Sequence, residues 1–135
     1  MEIYDIYLAT HLSFLVNGQR VDYTQFSQNQ CLPSTLYMLS AQNPMDEPLS
    51  DNQNQQRHHA LLALAQKDAV FVAQGWGELD DYQENMVLVN NADKAMEYAA
   101  NFGQRAIFVL HIDDNVKQVQ SVADGVIQRQ SSYIF

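Results

Sequence analysis

The sequence predicts a single α+β domain of the ferredoxin-like type, with a βαββαβ core in which two helices cover one face of an antiparallel sheet. Three observations predict this fold. The apolar and helical segments follow each other as strand, helix, strand, strand, helix, strand; no helix separates the two middle strands; and 135 residues suffice for one core. We expect one domain over residues 1–135, with its core at about 34–112. A helix and a strand precede that core, and an extended segment follows it.

The N-terminal segments are predicted from spacing and turn chemistry. Ile3, Ile6 and Tyr7 share one face of a short helix over residues 3–8. Residues 11–16 are predicted as a strand, which the turn pair Asn17-Gly18 ends. After a polar connection, residues 34–40 form a short apolar strand that stops before Pro44. The core is expected to begin with this strand.

Ser50 begins the first core helix. The stretch Ser50-Asp51-Asn52-Gln53 is a capping box, in which the Ser oxygen and the Gln side chain each satisfy a backbone N–H. The apolar stripe of this helix, Leu61, Leu64 and Ala65, extends backward through Arg57 and Asn54. These two polar side chains are therefore expected on the inner face at the helix start.

The second half of the core contains strands at residues 69–73, 86–89 and 106–110. A loop, Gly75-Trp76-Gly77 with an acidic tail, is expected between the first two. Asn91 is predicted to cap the second helix, and Gly103 to end it in the left-handed conformation. Residues 126–135 are expected to add an extended segment.

The charge distribution disfavours several classes of partner. Seven Lys and Arg face sixteen Asp and Glu, a net charge of -9, and the basic residues are scattered singly. Nucleic acids and anionic membranes bind clustered cations, so neither is an expected partner. The acidic residues form two clusters, at 46–51 and 78–84, and not a stripe as long as a duplex. A DNA-mimicking role is therefore only a minor alternative to a charged, solvated surface.

Cys31 is the only cysteine, so an intrachain disulfide is excluded and an inert, partly buried thiol is expected. The N-terminus opens with acidic residues, unlike a signal peptide, and no apolar stretch approaches the length of a membrane span. We therefore expect a cytoplasmic protein, monomeric or homodimeric. His58 and His59 are adjacent on a helix and cannot chelate one metal together. No metal or cofactor site is predicted.

Strand directions predict where a site would lie. If the first core strand lies between the third and the last, then Asn43, Glu84 and Gln104 stand at the same end of three adjacent strands, about 5 Å apart. Asn54 and Arg57 begin the helix above them, and Trp76 ends the second strand. Amides, a guanidinium and a helix N-terminus suit a small polar or nucleotide-like ligand. Equally, these groups suit a structural polar network in which Glu84 pairs with Arg57.

Two classes of function therefore remain open. One is a binding module for a small polar ligand, or an enzyme in which Glu84 is the candidate base. The other is an interaction or regulatory module without a small-molecule ligand. The predicted strands are apolar on both faces, which indicates that terminal segments or a dimer mate cover the second face of the sheet.

Three stretches carry a family resemblance. The first is Leu39-Ser40-Ala41-Gln42-Asn43-Pro44, and the second is Asn54, which stands seven residues before Leu61. The third is Glu84 before Val87-Leu88-Val89, followed by Ala95 and then by Phe102-Gly103-Gln104-Arg105-Ala106-Ile107. Over about residues 34–112 the chain resembles a bacterial family known as domain of unknown function 3293. The resemblance implies a bacterial protein with a unit of this size, and it implies no activity. Met86 stands where the family pattern has a Ser two residues after the Glu. A function that needs that hydroxyl is not carried over.

Overall fold

A computed structural model describes residues 2–25, 32–68 and 71–133. Its helices are α1 (Ile3–Ala9), α2 (Asp51–Asp68) and α3 (Ala92–Asn101). Its strands are β1 (His11–Val16), β2 (Gln19–Asp22), β3 (Thr35–Leu39), β4 (Val72–Leu79), β5 (Tyr82–Val89), β6 (Ala106–His111), β7 (Val116–Ser121) and β8 (Ile127–Ser132). Short 3-10 turns lie at Tyr23–Gln25 and Pro44–Asp46. Cys31, the predicted inert thiol, and residues 69–70, the start of a predicted strand, lie outside the described residues.

The eight strands form one antiparallel sheet in the order β2-β1-β4-β5-β3-β6-β7-β8. The predicted ferredoxin-like fold, with its βαββαβ core and two helices, is therefore wrong as a description of the domain. The physical reason is that neither outer strand of the central group β4-β5-β3-β6 is an edge. The β1–β2 hairpin pairs with β4, and the β7–β8 hairpin pairs with β6. In the central group, β3 lies between β5 and β6.

Each face of the sheet has its own apolar core. On one face, α2 and α3 pack against alternate side chains of β3, β5 and β6, among them Leu39, Val87, Val89, Ile107 and Val109. On the other face, Leu12, Phe14, Leu36, Met38, Met86, Leu88 and Phe108 belong to a second core, and Tyr4, Tyr7 and Leu8 of α1 pack against it. These two cores explain why the central strands are apolar on both faces.

The glycines near Trp76 do not form the expected loop, because they lie within β4, and β5 begins at Tyr82 after a turn at Asp80 and Asp81. A Cβ atom added to Gly75 would lie 2.7 Å from Met38 and 2.8 Å from the backbone oxygen of Ser13. Glycine is therefore needed for close packing here, a tertiary requirement that resembles a loop signal in the sequence.

Residues distant in the sequence hold α1 in place. Lys117 is only 1% exposed, and its Nζ donates hydrogen bonds to the backbone oxygens of Leu8 at 2.6 Å and Thr10 at 2.7 Å. A cation at the C-terminal end of a helix complements the partial negative charge there. At the other end of α1, Arg129 of β8 forms ion pairs with Glu2 and Asp5. These contacts fix α1 on the sheet.

Candidate functional site

A cavity of about 220 Å³ lies between α1 and the sheet, at the end where β3 stops and β6 begins. Side chains of α1, of the residues after β3, of the β4–β5 hairpin and of β6 enclose it. Its lining residues are Ile3, Ile6, Tyr7, Thr10, Ser40, Gln42, Asn43, Asp46, Pro48, Gly77, Leu79, Tyr82, Glu84, Met86, Gln104, Ala106 and Phe108. The walls are apolar over most of their area, as in ligand pockets generally, and nine of the seventeen side chains carry a polar group.

One wall is built from strained backbone. Asn43, Met45 and Asp46 adopt positive φ angles of 47°, 49° and 64°. Asn and Asp adopt this left-handed region more readily than other residues besides glycine, so Met45, which lies between two lining residues, is the strained residue of the three. The segment is held from outside by Gly103, whose backbone oxygen accepts a hydrogen bond from the Met45 N–H at 2.7 Å. Strain of this kind is concentrated at functional sites.

Glu84 is the most perturbed acid of the cavity. Burial raises the pKa of its carboxyl group to about 7, the charge of Asp46 raises it further, and a hydrogen bond from Ser40 acts in the opposite direction. That bond, from Ser40 Oγ, is long at 3.4 Å. In the described part of the chain no basic side chain pairs with Glu84. Glu84 is thus a half-buried carboxyl group without a compensating cation.

Asp46, the second acid of the lining, has a different environment. Arg105 Nε donates to one of its oxygens at 2.7 Å, and the Tyr7 hydroxyl donates to the other at 2.9 Å. Burial and the charge of Asp46 raise the pKa of Tyr7, so this hydroxyl keeps its proton. Asp46 is therefore compensated by a cation and a donor, whereas Glu84 is not.

Asn43 lines the cavity, but its side chain is committed to the protein. Its Oδ1 accepts from the Leu49 N–H at 3.0 Å and from Asn54 Nδ2 at 2.8 Å, and its Nδ2 donates to the Tyr82 hydroxyl. Asn54 is only 6% exposed and does not line the cavity. Its Oδ1 accepts from the Asn43 N–H at 3.0 Å. This amide pair joins the end of β3 to the start of α2.

Arg57 lies behind the cavity and does not pair with Glu84. Its Nε donates to the backbone oxygen of Ala41 at 2.6 Å, and its NH2 nitrogen donates to that of Phe102. Its guanidinium also lies 5.6 Å from the centre of the Phe102 ring. Arg57 therefore ties the end of β3 to the end of α3.

Trp76 is apart from the other predicted site residues. The glycines on either side of it face Met38 and Met86, so Trp76 points to the opposite face of the sheet. There the guanidinium of Arg20 lies 4.4 Å from the centre of its ring. This cation–π contact belongs to β1, β2 and β4, and Trp76 does not line the cavity.

Gln104 lines the cavity and is 9% exposed. Its Nε2 donates to the backbone oxygens of Gln42 at 3.0 Å and Phe102 at 3.3 Å. These two carbonyl acceptors fix which end of the amide is nitrogen. Among the described residues no group donates to Oε1, which leaves an amide oxygen available at the cavity.

Several cavity residues were not predicted from the sequence as site residues, notably Tyr7, Asp46 and Tyr82. The apolar face of Ile3, Ile6 and Tyr7 was the available signal, but nothing in the sequence indicates which surface it covers. Asp46 was expected only as part of an acidic cluster. Tyr82 was not expected at a site, because the hairpin was predicted as a loop.

Residues 39–107 match the family of proteins of unknown function named domain of unknown function 3293, and this segment is just over half of the chain. The chain belongs to this family. The resemblance inferred from the sequence is thereby confirmed, over a slightly shorter range. No curated protein and no solved structure gives a significant match. In the part of the chain that the structure describes, no helix has both the length and the apolarity needed to cross a bilayer.

The family segment contains only part of the cavity. Asn43, Asp46, Tyr82, Glu84 and Gln104 lie within it. The four lining residues from the α1 region, Ile3, Ile6, Tyr7 and Thr10, lie outside it. Most polar groups of the cavity, including both carboxyl groups, therefore belong to the segment that defines the family, and the α1 region adds Ile3, Ile6 and the hydroxyl-bearing Tyr7 and Thr10.

Proposed function

We propose that this protein binds a small molecule in the cavity between α1 and the sheet, with Glu84 as the central polar contact. The observation that supports this most directly is the state of Glu84, a half-buried carboxyl group in apolar surroundings without a cationic partner among the described residues. Burying such a group is costly unless something compensates it, and a ligand can supply that compensation.

The size and entrance of the cavity suit a small ligand. An apolar cavity of about 150 Å³ accommodates benzene, so one of about 220 Å³ accommodates a ring with a polar substituent. Ile6 and Tyr82 both line the cavity and are 38% and 48% exposed. These partly exposed side chains place one part of the lining next to solvent, where a ligand can enter.

The sequence also left open a protein-interaction module. That alternative was suggested by strands that are apolar on both faces. Because both faces of the central strands contribute to an apolar core, their buried side chains are not available to a partner protein. Ligand binding is therefore the better supported of the two, and the interaction module remains an untested alternative.

An acid–base role for Glu84 is a second candidate within the same proposal. A carboxyl group with a pKa of about 7 exchanges protons readily near neutral pH, as a general acid or base must. The strained backbone at Met45 is a further property that active sites share. Whether a bound ligand is also transformed is decided by following its chemical fate once it is known.

The test is a fragment screen observed by two-dimensional ¹H–¹⁵N NMR on the full chain. We expect small ring compounds to shift the amides of α1, of residues 40–48 and of the β4–β5 hairpin together. Gly77→Leu, which fills the cavity from β4, should abolish these shifts, whereas a substitution at exposed Gln55 on α2 should leave them unchanged. If no fragment shifts these amides, or if shifts persist in a folded Gly77→Leu variant, the proposal is wrong.

A further inference from the structure

We infer that the cavity selects ligands that carry a cationic nitrogen group, an ammonium or an amidinium, on a small apolar body. This inference rests on the proposed function and specifies its ligand class. It follows from which polar atoms of the lining the protein leaves unused and from the charges that surround them.

Among the described residues, the lining contains two carboxyl groups, Asp46 and Glu84, and no Lys, Arg or His. Arg105 compensates Asp46 from outside the lining, and it makes no ion pair with Glu84. One negative group thus faces the cavity without a positive one. A ligand that places a cation beside Glu84 supplies that missing charge in a partly dehydrated environment, where a charge-assisted hydrogen bond is strong.

Most donors of the lining are already engaged within the protein. The Tyr7 hydroxyl donates to Asp46, that of Thr10 to the backbone oxygen of Ile6, and that of Ser40 to Glu84. The side-chain nitrogens of Asn43 and Gln104 also donate to acceptors within the chain. Among the described residues, the side-chain donors that remain are the Tyr82 hydroxyl hydrogen, the Gln42 side-chain nitrogen and the second N–H of Asn43.

The cavity also presents acceptors that the described residues leave unused, and one of them belongs to the Glu84 carboxyl group. Glu84 offers one oxygen that receives no hydrogen bond from the described residues, and its other oxygen receives only the long contact from Ser40. Gln104 adds its free Oε1. An ammonium or amidinium group has several N–H donors and no acceptor. It therefore matches this set, whereas a carboxylate or phosphate ligand is repelled by it.

The rim of the cavity is negatively charged, as its interior is. Asp80 and Asp81 form the turn between Leu79 and Tyr82, which both line the cavity. Glu47 lies between Asp46 and Pro48, which line it as well. The protein as a whole has a net charge of -9. A concave site with acidic edges concentrates cations and repels anions before contact.

The ligand affinity should depend on pH in a defined direction. The charged and titratable groups around Glu84 come from three parts of the chain. Tyr7 belongs to α1 and Tyr82 to β5, while Asp46 follows β3 and pairs with Arg105, the residue before β6. Both tyrosines have raised pKa values and stay neutral, so Glu84 is the group that titrates. Ionisation of Glu84 between pH 6 and 8 should increase the affinity for a permanent cation about tenfold.

The test compares three ligands of one shape: benzamidine, benzamide and benzoate, which are cationic, neutral and anionic. Titration of the full chain, followed by ¹H–¹⁵N NMR, should show benzamidine binding at least tenfold more tightly than benzamide, and no binding of benzoate. Glu84→Gln should remove the preference for benzamidine and its pH dependence. Glu97→Gln, which removes one exposed charge on α3, is the matched control and should keep both.

The outcomes separate this inference from the proposed function. If benzamide or benzoate binds in the cavity as tightly as benzamidine, the ligand class is wrong and the cavity remains a binding site. If benzamidine binds equally well to the Glu84→Gln variant, the role assigned to Glu84 is wrong. If neither these three nor any compound of the fragment screen shifts the cavity amides, the proposed function fails as well.

Discussion

A 2.8 Å hydrogen bond from Nδ2 of Asn54 to Oδ1 of Asn43 joins the first turns of α2 to the strained segment that follows β3. The backbone N–H of Asn43 returns a hydrogen bond to Asn54 at 3.0 Å. Because Asn54 is buried and the polar atoms of the pair are satisfied by each other, the pair stabilises the fold and is not held ready for a ligand.

Asn54→Ala should therefore destabilise the protein by about 1–3 kcal/mol, because it leaves the Asn43 N–H and side chain without their partner. Denaturant unfolding measures this loss. Asn52→Ala, at an exposed position of the same helix turn, is the control and should change stability by less than about 0.5 kcal/mol. Equal effects of the two substitutions would contradict the structural role of Asn54.

Glu84→Gln should stabilise the protein at pH 8 by roughly 1–3 kcal/mol and have little effect at pH 4. The pKa of Glu84 is raised from 4.5 to about 7 by burial, so between these values the folded protein holds a proton that the unfolded chain has released. Rising pH therefore favours the unfolded chain of the wild type, and Gln removes that dependence. Thermal melts of both proteins across this range test it. A variant that is less stable at pH 8 would indicate that the ionised carboxylate has a partner.

Gly103→Ala should lower the free energy of unfolding more than Gly18→Ala does, although both glycines have positive φ angles, of 68° and 79°. Each substitution pays about 1–2 kcal/mol for the left-handed conformation. A Cβ at Gly103 would in addition lie 2.9 Å from Cβ of Pro44, whereas at Gly18 it meets nothing within 4 Å. The difference in unfolding free energy should be about 1–3 kcal/mol. Similar losses of stability in the two variants would show that the residues around Pro44 move to accommodate the added methyl group.

Lys117→Met should loosen α1, because the backbone oxygens of Leu8 and Thr10 lose their shared donor. Hydrogen exchange of α1 amides should accelerate relative to β3 and β6, while Lys67→Met, on an exposed residue of α2, leaves it unchanged. Unchanged protection of α1 in the Lys117 variant would contradict this anchoring role.

Lys117 also predicts a pH dependence of stability. Burial lowers the pKa of Lys117 from 10.5 to about 8, so above pH 8 the folded protein releases a proton that the unfolded chain retains. Wild-type stability should therefore gain a rising contribution between pH 8 and 10 that Lys117→Met lacks. Parallel pH profiles of the two proteins would show that this lysine does not titrate in the range.

The parts of the fold that depend on local chemistry were predictable from the sequence. The turn at Asn17-Gly18, the reciprocal Ser50–Gln53 capping box and the Asn91 cap are all present. The extent of the sheet was not predictable in this way. Strand β7 contains a fully buried lysine, Lys117, which no alternation pattern explains, since its partners are carbonyl groups of α1.

The candidate site was predictable in position and not in detail. Strand directions alone place Asn43, Glu84 and Gln104 at the same end of the sheet, and the structure places all three around one cavity. Which of their atoms are already bonded depends on backbone groups such as those of Leu49, Gln42 and Phe102. Sequence patterns contain no information on these partners, and so Asn54 and Arg57 could not be separated from Glu84.

The anchoring of α1 has a consequence for how the protein is made. Leu8 and Lys117 are 109 residues apart, and Asp5 and Arg129 are 124 apart. During synthesis α1, α2 and strands β3 to β5 leave the ribosome before β7 and β8, so Lys117 and Arg129 cannot anchor α1 until translation is nearly complete. Such distant contacts also form slowly, because ordering the long intervening chain costs entropy before they are gained. Until then Glu84 faces water on a nascent chain, and its acidity should be that of an ordinary glutamate.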